Sequence, residues 1–373
     1  MIRRQYLEHL ARSLRPNRLA WLAKQVYRAA RLRASLGSDR AVTGPVLATV
    51  VLTYQCNLRC FMCDSWRRGD DRPTWDTAEI RRLIDTLARM GTTGLGFTGG
   101  EPLLRKDLDE ILRHAVQAGP IVHLNTNGTL LTRERTERLV DTGLQSVNLS
   151  LDGAIAETHD EIRGAKGAFD KVLRAAENLL AVRSERGTGP RVHFVTVVSG
   201  KNTGEVRAAL ELTERAGVDG LGLLPQHARF FEAATLPASE AGQLSREIEG
   251  ALASPQATKL DNSPAYLRGI SPFLSGEVPE NRCSAGHASL VVDAFGDVYP
   301  CVPWSETQRP VAHVTDPSEL AALWYSDAYR AVRRDVAACE GCWWNCHREL
   351  DLLLRSGRRE VDPVPGPTAV QVP

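Results

Sequence analysis

Between residues 46 and 225 the chain repeats one local pattern six times, and that repetition narrows the fold more than any other feature. The runs VLATVVLTY (46–54), LGFTG (95–99), IVHLNTN (121–127), SVNLSLD (146–152), RVHFVTVV (191–198) and GLGLLP (220–225) are short, apolar and rich in β-branched residues, as strands are. Amphipathic stretches separate them: 77–90, 108–118, 132–142, 168–186 and 203–216, each with the apolar spacing of a helix that covers a sheet. Thr132 and Thr203 stand where helix caps are expected, and neither has the glutamate three residues on that would complete a capping box. Successive βα units predict a parallel sheet with right-handed crossovers, here an α/β partial (β/α)6 barrel of the TIM type with its chemistry at the carboxyl ends of the strands.

The flanks differ in texture. Residues 1–45 form a basic amphipathic segment: the first forty residues carry ten Lys and Arg against only Glu8 and Asp39. Ile2, Tyr6, Leu10 and Leu14, then Leu19, Leu22 and Val26, give two helices whose apolar face fits either the neighbouring domain or peripheral membrane contact through residues 1–40. Residues 226–282 read as a connecting helical region with a helix near 240–252. ASLVVDAFGDVYPC (288–301) reads as a hairpin turning at Gly296 and Asp297, 317–336 as one helix, and 359–373 as a Pro-rich tail. A net charge of +1 argues against electrostatic binding of nucleic acid, and no apolar run is long enough to span a bilayer.

Eight cysteines fall in two distant groups. Residues 2–40 are studded with arginine and lack the continuous apolar stretch of a secretory signal, so the cysteines are expected in a cytoplasmic protein and as metal ligands. Cys56, Cys60 and Cys63 make a CxxxCxxC loop at the end of the first strand. Three thiolates fall short of the four ligands of a closed zinc site, but suit an iron–sulfur cluster with one iron left open. Structural zinc with a fourth ligand such as Asp64 or a distant histidine remains the alternative.

This loop, together with four other motifs in order, resembles the radical S-adenosylmethionine (SAM) superfamily. Gly99-Gly100-Glu101-Pro102 is similar to the family's GGEP motif, whose backbone and acidic side chain receive the SAM amino group. Asn125-Thr126-Asn127-Gly128 and Ser150-Leu151-Asp152-Gly153 end the third and fourth strands, and His159 to Gly164 looks like an HDxxRG segment, whose arginine meets the SAM carboxylate. The resemblance implies a SAM-binding [4Fe-4S] cluster on Cys56, Cys60 and Cys63. It implies SAM contacts from Gly99, Gly100, Glu101, Pro102, Asn125, Ser150, Asp152 and Arg163. Met62 stands where the family usually has an aromatic residue, and its flexible thioether fills the same space.

The second group is Cys283, Cys301, Cys339, Cys342 and Cys346. It resembles the SPASM and twitch extensions of radical SAM enzymes, a small α+β cluster-binding unit expected over 283–358. Five cysteines imply one auxiliary [4Fe-4S] cluster, with Cys283, Cys301, Cys339 and Cys342 preferred as ligands and Cys346 in surplus or in exchange for Cys339 or Cys342. A zinc site is the alternative, since CxxC pairs also hold zinc. Trp343 and Trp344 either shield the cluster or simply pack the core.

The resemblance implies reductive cleavage of SAM to a 5'-deoxyadenosyl radical, hydrogen abstraction from a substrate, and an electron donor of the reductase or flavodoxin type. An auxiliary cluster favours a redox-changing modification, dehydrogenation or oxidative bond formation, in natural-product or cofactor biosynthesis. The alternatives are peptide maturation, sulfur insertion from the auxiliary cluster and, less favoured, a non-catalytic iron–sulfur electron-transfer protein. The substrate is expected to be a small molecule or a peptide. Only 45 residues precede the first strand, which favours a small molecule or a separately recruited peptide over a built-in leader-recognition domain. His123, Asn125, Asp152, Gln226 and His227, at or beyond strand ends, are the candidate substrate-facing groups.

Overall fold

A computed structural model describes residues 27, 29–68, 72–227, 235–277, 283–339 and 342–355. Residues 1–26 and 28 of the basic amphipathic segment, which include its first expected helix, lie outside the described residues, as does the Pro-rich tail; residues 29–35 are helical.

In chain order the elements are β1 (Leu47–Val51), α1 (Ser65–Arg68), α2 (Thr77–Met90), β2 (Gly94–Thr98), α3 (Leu108–Ala118), β3 (Ile121–Thr126), α4 (Arg133–Val140), β4 (Ser146–Ser150), α5 (Ala156–Arg163), α6 (Ala168–Arg186), β5 (Arg191–Val198), α7 (Val206–Arg215) and β6 (Gly220–Pro225). They are followed by α8 (Ala238–Ala253), α9 (Pro264–Arg268), α10 (Ile270–Leu274), β7 (Ser289–Val292), β8 (Asp297–Tyr299), α11 (Val302–Ser305), β9 (Ala312–His313), α12 (Leu320–Tyr325), α13 (Asp327–Ala337) and α14 (Asn345–Arg355).

The nine strands of the described residues form one sheet in the order β6-β5-β4-β3-β2-β1-β7-β8-β9. The six expected strands pair in parallel, consecutively, as the βα alternation requires. Sequence alone does not show that β7 adds to β1 in parallel, Leu47 opposite Ser289, so the carboxyl-terminal hairpin extends the barrel sheet directly. Strand β8 then turns back antiparallel on β7.

Alternation along the strands sorts the residues. Leu95, Phe97, Val122, Leu124, Val147, Leu149, Val192 and Phe194 are fully buried against the helices. The intervening positions carry Gly96, His123, Asn125, Asn148 and His193, a small and polar set where a closed barrel is packed with bulky aliphatics.

The helix starts show how local chemistry fixes the frame. Asp76 accepts from the Glu79 amide at 2.8 Å while Glu79 returns a bond to the Asp76 amide, a complete capping box that starts α2. Thr132 accepts from the Arg135 amide and caps α4, whereas α7 begins at Val206 without a side-chain cap, three residues later than expected. The single helix expected over 317–336 is a short 3-10 turn, α12 and α13, broken where Ser326 caps α13 through the Tyr329 amide. The HDxxRG segment, read only as a motif, is itself helix α5, ended by Gly164 at φ 64°.

Candidate active site and auxiliary cluster site

The CxxxCxxC loop leaves the carboxyl end of β1 and is held from three sides. The amides of Gly100 and Glu101 donate to the Thr53 and Gln55 carbonyls, each at 2.8 Å, so the GGEP loop lies directly on the chain entering the cysteine loop. A Cβ on Gly99 or Gly100 would collide with those same carbonyl groups, which explains both glycines as close-approach residues. From the second side, the Phe61 amide donates to the Ile162 carbonyl at 3.1 Å, and a Cβ on Gly164 would sit 2.5 Å from the Arg59 carbonyl oxygen. On the third, Asn127 Nδ2 donates to Asn57 Oδ1 at 2.9 Å, and Asn57 Nδ2 donates to Thr129 Oγ1 at 2.8 Å.

Glu101 is fully buried, and its carboxylate accepts three bonds: from the Leu103 amide (3.0 Å), Thr126 Oγ1 (2.7 Å) and the Asn127 amide (2.8 Å). Burial raises its pKa and these donors oppose that rise. The side chain expected to receive an ammonium is thus engaged in tying the end of β2 to the end of β3. Pro102 opens the 3-10 turn that follows.

Asn125 lies inside the barrel, where its Oδ1 accepts from Asn148 Nδ2 at 2.8 Å. The polar side chain that reaches the cysteine loop from this motif is Asn127, which the sequence reading passed over although it belongs to the same Asn-Thr-Asn-Gly run. Ser150 is the last residue of β4.

Asp152 and Arg163 meet. Asp152 is fully buried; its Oδ1 accepts from the Val197 amide at 2.8 Å and its Oδ2 lies 2.6 Å from Arg163 Nη2. The other arm of Arg163 donates to Cys60 Sγ at 3.8 Å. The guanidinium therefore stands between a carboxylate and a cluster-site sulfur. Burial pushes the Cys60 thiol up to about 11, with Arg163 pulling against it. His159 Nδ1 accepts from the Asp152 amide at 3.1 Å, and burial, aided by the nearby Arg163, holds its pKa down to about 3, so the ring is a neutral acceptor.

Of the substrate-facing candidates, His123 packs over Gly96, where a Cβ would strike its ring. Gln226 follows β6 and donates its amide to the Val198 carbonyl. His227 does not belong with them: it is buried, its Nε2 accepts from the Trp343 amide at 3.3 Å, and its ring lies 4.8 Å from Phe273 and 5.9 Å from Trp344. It joins the end of β6 to the carboxyl-terminal unit.

In the second group, Cys283 precedes β7 and Cys301 follows β8. Burial raises the thiol pKa of both. Cys342 lies just before α14 and Cys346 in its first turn. Trp343 is a packing residue, stacked on Tyr266 at 5.7 Å with its Nε1 donating to the Tyr266 carbonyl at 2.9 Å. Arg348 and Asp351 brace the unit: Arg348 Nε donates to the Cys342 carbonyl at 2.6 Å, and Asp351 Oδ1 accepts from the Ser284 amide at 3.0 Å.

Comparison with known proteins agrees with this geometry. The Radical SAM superfamily profile matches residues 50–213, and the profile of the SPASM iron–sulfur cluster-binding domain matches residues 283–347. The chain is 37% identical over 283 residues to an AdoMet-dependent heme synthase of Methanosarcina barkeri, covering 69% of this chain and 76% of that protein. It is 30% identical over 315 residues to the mycofactocin maturase MftC of Mycolicibacterium smegmatis, covering 82% and 77%. The fold is similar to that of Streptococcus suis SuiB, bound in its crystal structure to the precursor peptide SuiA, with a TM-score of 0.64 at 16% identity over 83% of this chain and 72% of that one. With its SAM-binding [4Fe-4S] cluster, its auxiliary cluster domain and its partial barrel, the chain belongs to the radical SAM superfamily, in the branch that carries a SPASM domain.

Proposed function

We propose that this radical SAM enzyme carries out a redox-changing modification of its substrate, a dehydrogenation or oxidative bond formation in natural-product or cofactor biosynthesis. The observation that carries the reading is the placement of the two cysteine groups on neighbouring strands. The first leaves the carboxyl end of β1; Cys283 and Cys301 flank the β7–β8 hairpin that pairs with β1. A β-strand of this length spans on the order of 15 Å, so a rigid sheet sets the separation of the two sites.

Bound SAM, reduced by its cluster, supplies a carbon-centred radical that removes a hydrogen atom from the substrate. The protein's part is to position and to exclude water. Cys56, Cys60 and Cys63 hold the first cluster, and the GGEP backbone at Gly99, Gly100 and Pro102, with Asn125, Ser150, Asp152 and Arg163, borders the SAM site. Glu101 is the acid of that site for the SAM amino group, its carboxylate fixed in place by three protein donors. The Arg163 cation beside Cys60 offsets thiolate charge and thereby helps set the reduction potential. Cys283, Cys301, Cys339 and Cys342 would hold the auxiliary cluster, which would supply a one-electron acceptor. A reductase or flavodoxin-type protein supplies the first electron.

A second reading, maturation of a ribosomal peptide, is supported by the match to a maturase along 82% of this chain. The test is anaerobic turnover of the reconstituted enzyme with dithionite, SAM and candidate substrates, including precursor peptides, followed by mass spectrometry. A product two hydrogens lighter, formed with stoichiometric 5'-deoxyadenosine, supports the proposal. A product of unchanged mass indicates isomerisation, and one that has gained sulfur indicates sulfur insertion; either overturns it.

A further inference from the structure

The barrel interior holds an acid–base pair that the SAM site does not use. On β5 the His193 ring donates from Nδ1 to Asp261 Oδ2 at 2.9 Å, and the two side chains are only 1% and 9% exposed. A carboxylate that accepts at Nδ1 leaves the lone pair of the ring at Nε2, and that atom is buried with no hydrogen-bond partner. A buried polar atom left unpaired is destabilising, so its retention calls for a use.

Asp261 reaches the barrel from beyond the six βα units. It follows α8, on a segment that runs beside β6. Leu260 pairs in parallel with Leu221, the Asp261 amide donates to the Leu221 carbonyl at 2.9 Å, and Asn262 Oδ1 accepts from the Leu223 amide at 2.7 Å. The next amide, of Ser263, donates to Glu349 Oε1 on α14 at 2.8 Å, so the carboxyl-terminal unit helps to fix the segment. Gly220 makes room for the pair, since a Cβ there would lie 2.5 Å from Asp261 Oδ1 and 2.8 Å from His193 Nδ1.

Register places the pair relative to the reaction. Asn125, Asn148, His193 and Gly220 lie opposite one another on inward positions of β3, β4, β5 and β6. Asn148 Oδ1, next to His193 in that row, is likewise buried without a partner. One inward step toward the carboxyl ends, about 7 Å along the strands, Val195 lies opposite Ser150, at the border proposed for SAM. Thr98, Asn125, Ser150 and Val195 are partly exposed on these inward positions, so the interior is open beside the pair. These four side chains are uncharged, which suits a neutral hydrogen-bonding group better than a carboxylate or an ammonium.

We propose that His193 is the proton acceptor of the oxidative step, with Asp261 as its positioning residue, for a substrate that bears a neutral O–H or N–H on the carbon being oxidised. The inference deepens the redox reading of the proposed function and rests on it. Hydrogen abstraction breaks the C–H bond and leaves one unpaired electron on that carbon. Nε2 then takes the proton from the O–H or N–H, the electron passes to the auxiliary [4Fe-4S] cluster, and a C=O or C=N bond forms. The substrate loses two hydrogens in all, one as an atom and one as a proton and an electron.

The test uses the full chain with both clusters reconstituted, kept anaerobic, and diethyl pyrocarbonate, a small electrophile that acylates an imidazole at its lone pair. Peptide mass spectrometry reads each histidine. His193 is labelled in the absence of SAM; saturating SAM, which covers the mouth of the barrel, slows that labelling by about tenfold or more, and so does D261N, with iron and sulfide contents unchanged. His313, half exposed on β9, keeps its rate throughout. No label on His193 while His313 is labelled, or an unchanged rate with SAM or in D261N, overturns the proposal and leaves a closed structural pair. In the turnover assay above, product formed per 5'-deoxyadenosine falls by about tenfold or more in H193Q; a ratio equal to that of the wild type also overturns it. The labelling needs no turnover, so a reactive, SAM-shielded His193 in an enzyme whose product is not oxidised would sink the redox reading and leave the pair as an acid–base group of the barrel.

Discussion

The two cysteine groups solve the same problem, holding an inorganic cluster, by opposite means. Cys56, Cys60 and Cys63 sit within eight residues on one loop, and the neighbouring strand ends supply the rigidity: Gly100 and Glu101 from behind β2, Asn127 from β3, Ile162 and Arg163 from α5. Cys283, Cys301, Cys339 and Cys342 span almost sixty residues, and the scaffold around them is tertiary: β7 joins the barrel sheet, α14 is braced by Arg348 and Asp351, and Trp343 packs on Tyr266. The first site is local and clamped by backbone. The second is assembled by tertiary contacts, so damage far from its thiols reaches it.

The largest expected effect separates the sites by function. Cys60→Ala abolishes 5'-deoxyadenosine formation, measured by chromatography, while the iron held by the second group remains; residual SAM cleavage would break the assignment. Next, Cys342→Ala removes most of the auxiliary iron and sulfide, whereas Cys346→Ala leaves both at wild-type levels. Equal losses in the two variants would show that Cys346 is a ligand.

Smaller effects sharpen the contrast between a clamped and an assembled site. Gly164→Ala forces a side chain at φ 64° against the Arg59 carbonyl and lowers occupancy of the first cluster alone. Gly269→Ala displaces Trp343 and lowers occupancy of the second alone. Electron paramagnetic resonance of each reduced variant reads the two clusters separately, and a loss at the opposite site in either case contradicts the account.

The smallest effect is on pH. His159 and His287 have pKa values held down by burial, to about 3 and about 4. Each binds a proton more readily when unfolded, so stability is intact above about pH 6.5 and falls as pH drops from there toward 4. Denaturant midpoints measured between pH 7 and 4.5 should decline, and His287→Leu should make that decline shallower; an unchanged slope would mean that His287 is not held neutral in the fold.

Much of this was legible from residues alone because the information is local. Six strands follow from period-two apolar runs, and helices α2, α3 and α6 begin and end where the periodicity and glycines place them. The cysteine spacing and the motifs after each strand locate the first site. What escaped depends on distance in sequence. Nothing in SLVV announces that β7 pairs with β1, 242 residues earlier. That the Glu101 carboxylate also accepts from Thr126 Oγ1 and the Asn127 amide follows only once β3 lies beside β2. His227, at the end of a strand, looked substrate-facing until Trp343 and Phe273 arrived from elsewhere in the chain. Asn127 was within reach: two asparagines flanked Thr126, and alternation turns them to the same side, so the choice between them needed only the position of the strand end.

The central claim, two separate clusters on one sheet, is tested most directly by iron and labile sulfide after anaerobic reconstitution. The measurement compares the wild type with the Cys56/Cys60/Cys63→Ala variant, with low-temperature electron paramagnetic resonance of both after reduction. The account predicts about eight irons per chain in the wild type and about four in the variant, as two [4Fe-4S] centres require. About four in the wild type and none in the variant would remove the auxiliary cluster, and with it the case for an oxidative reaction.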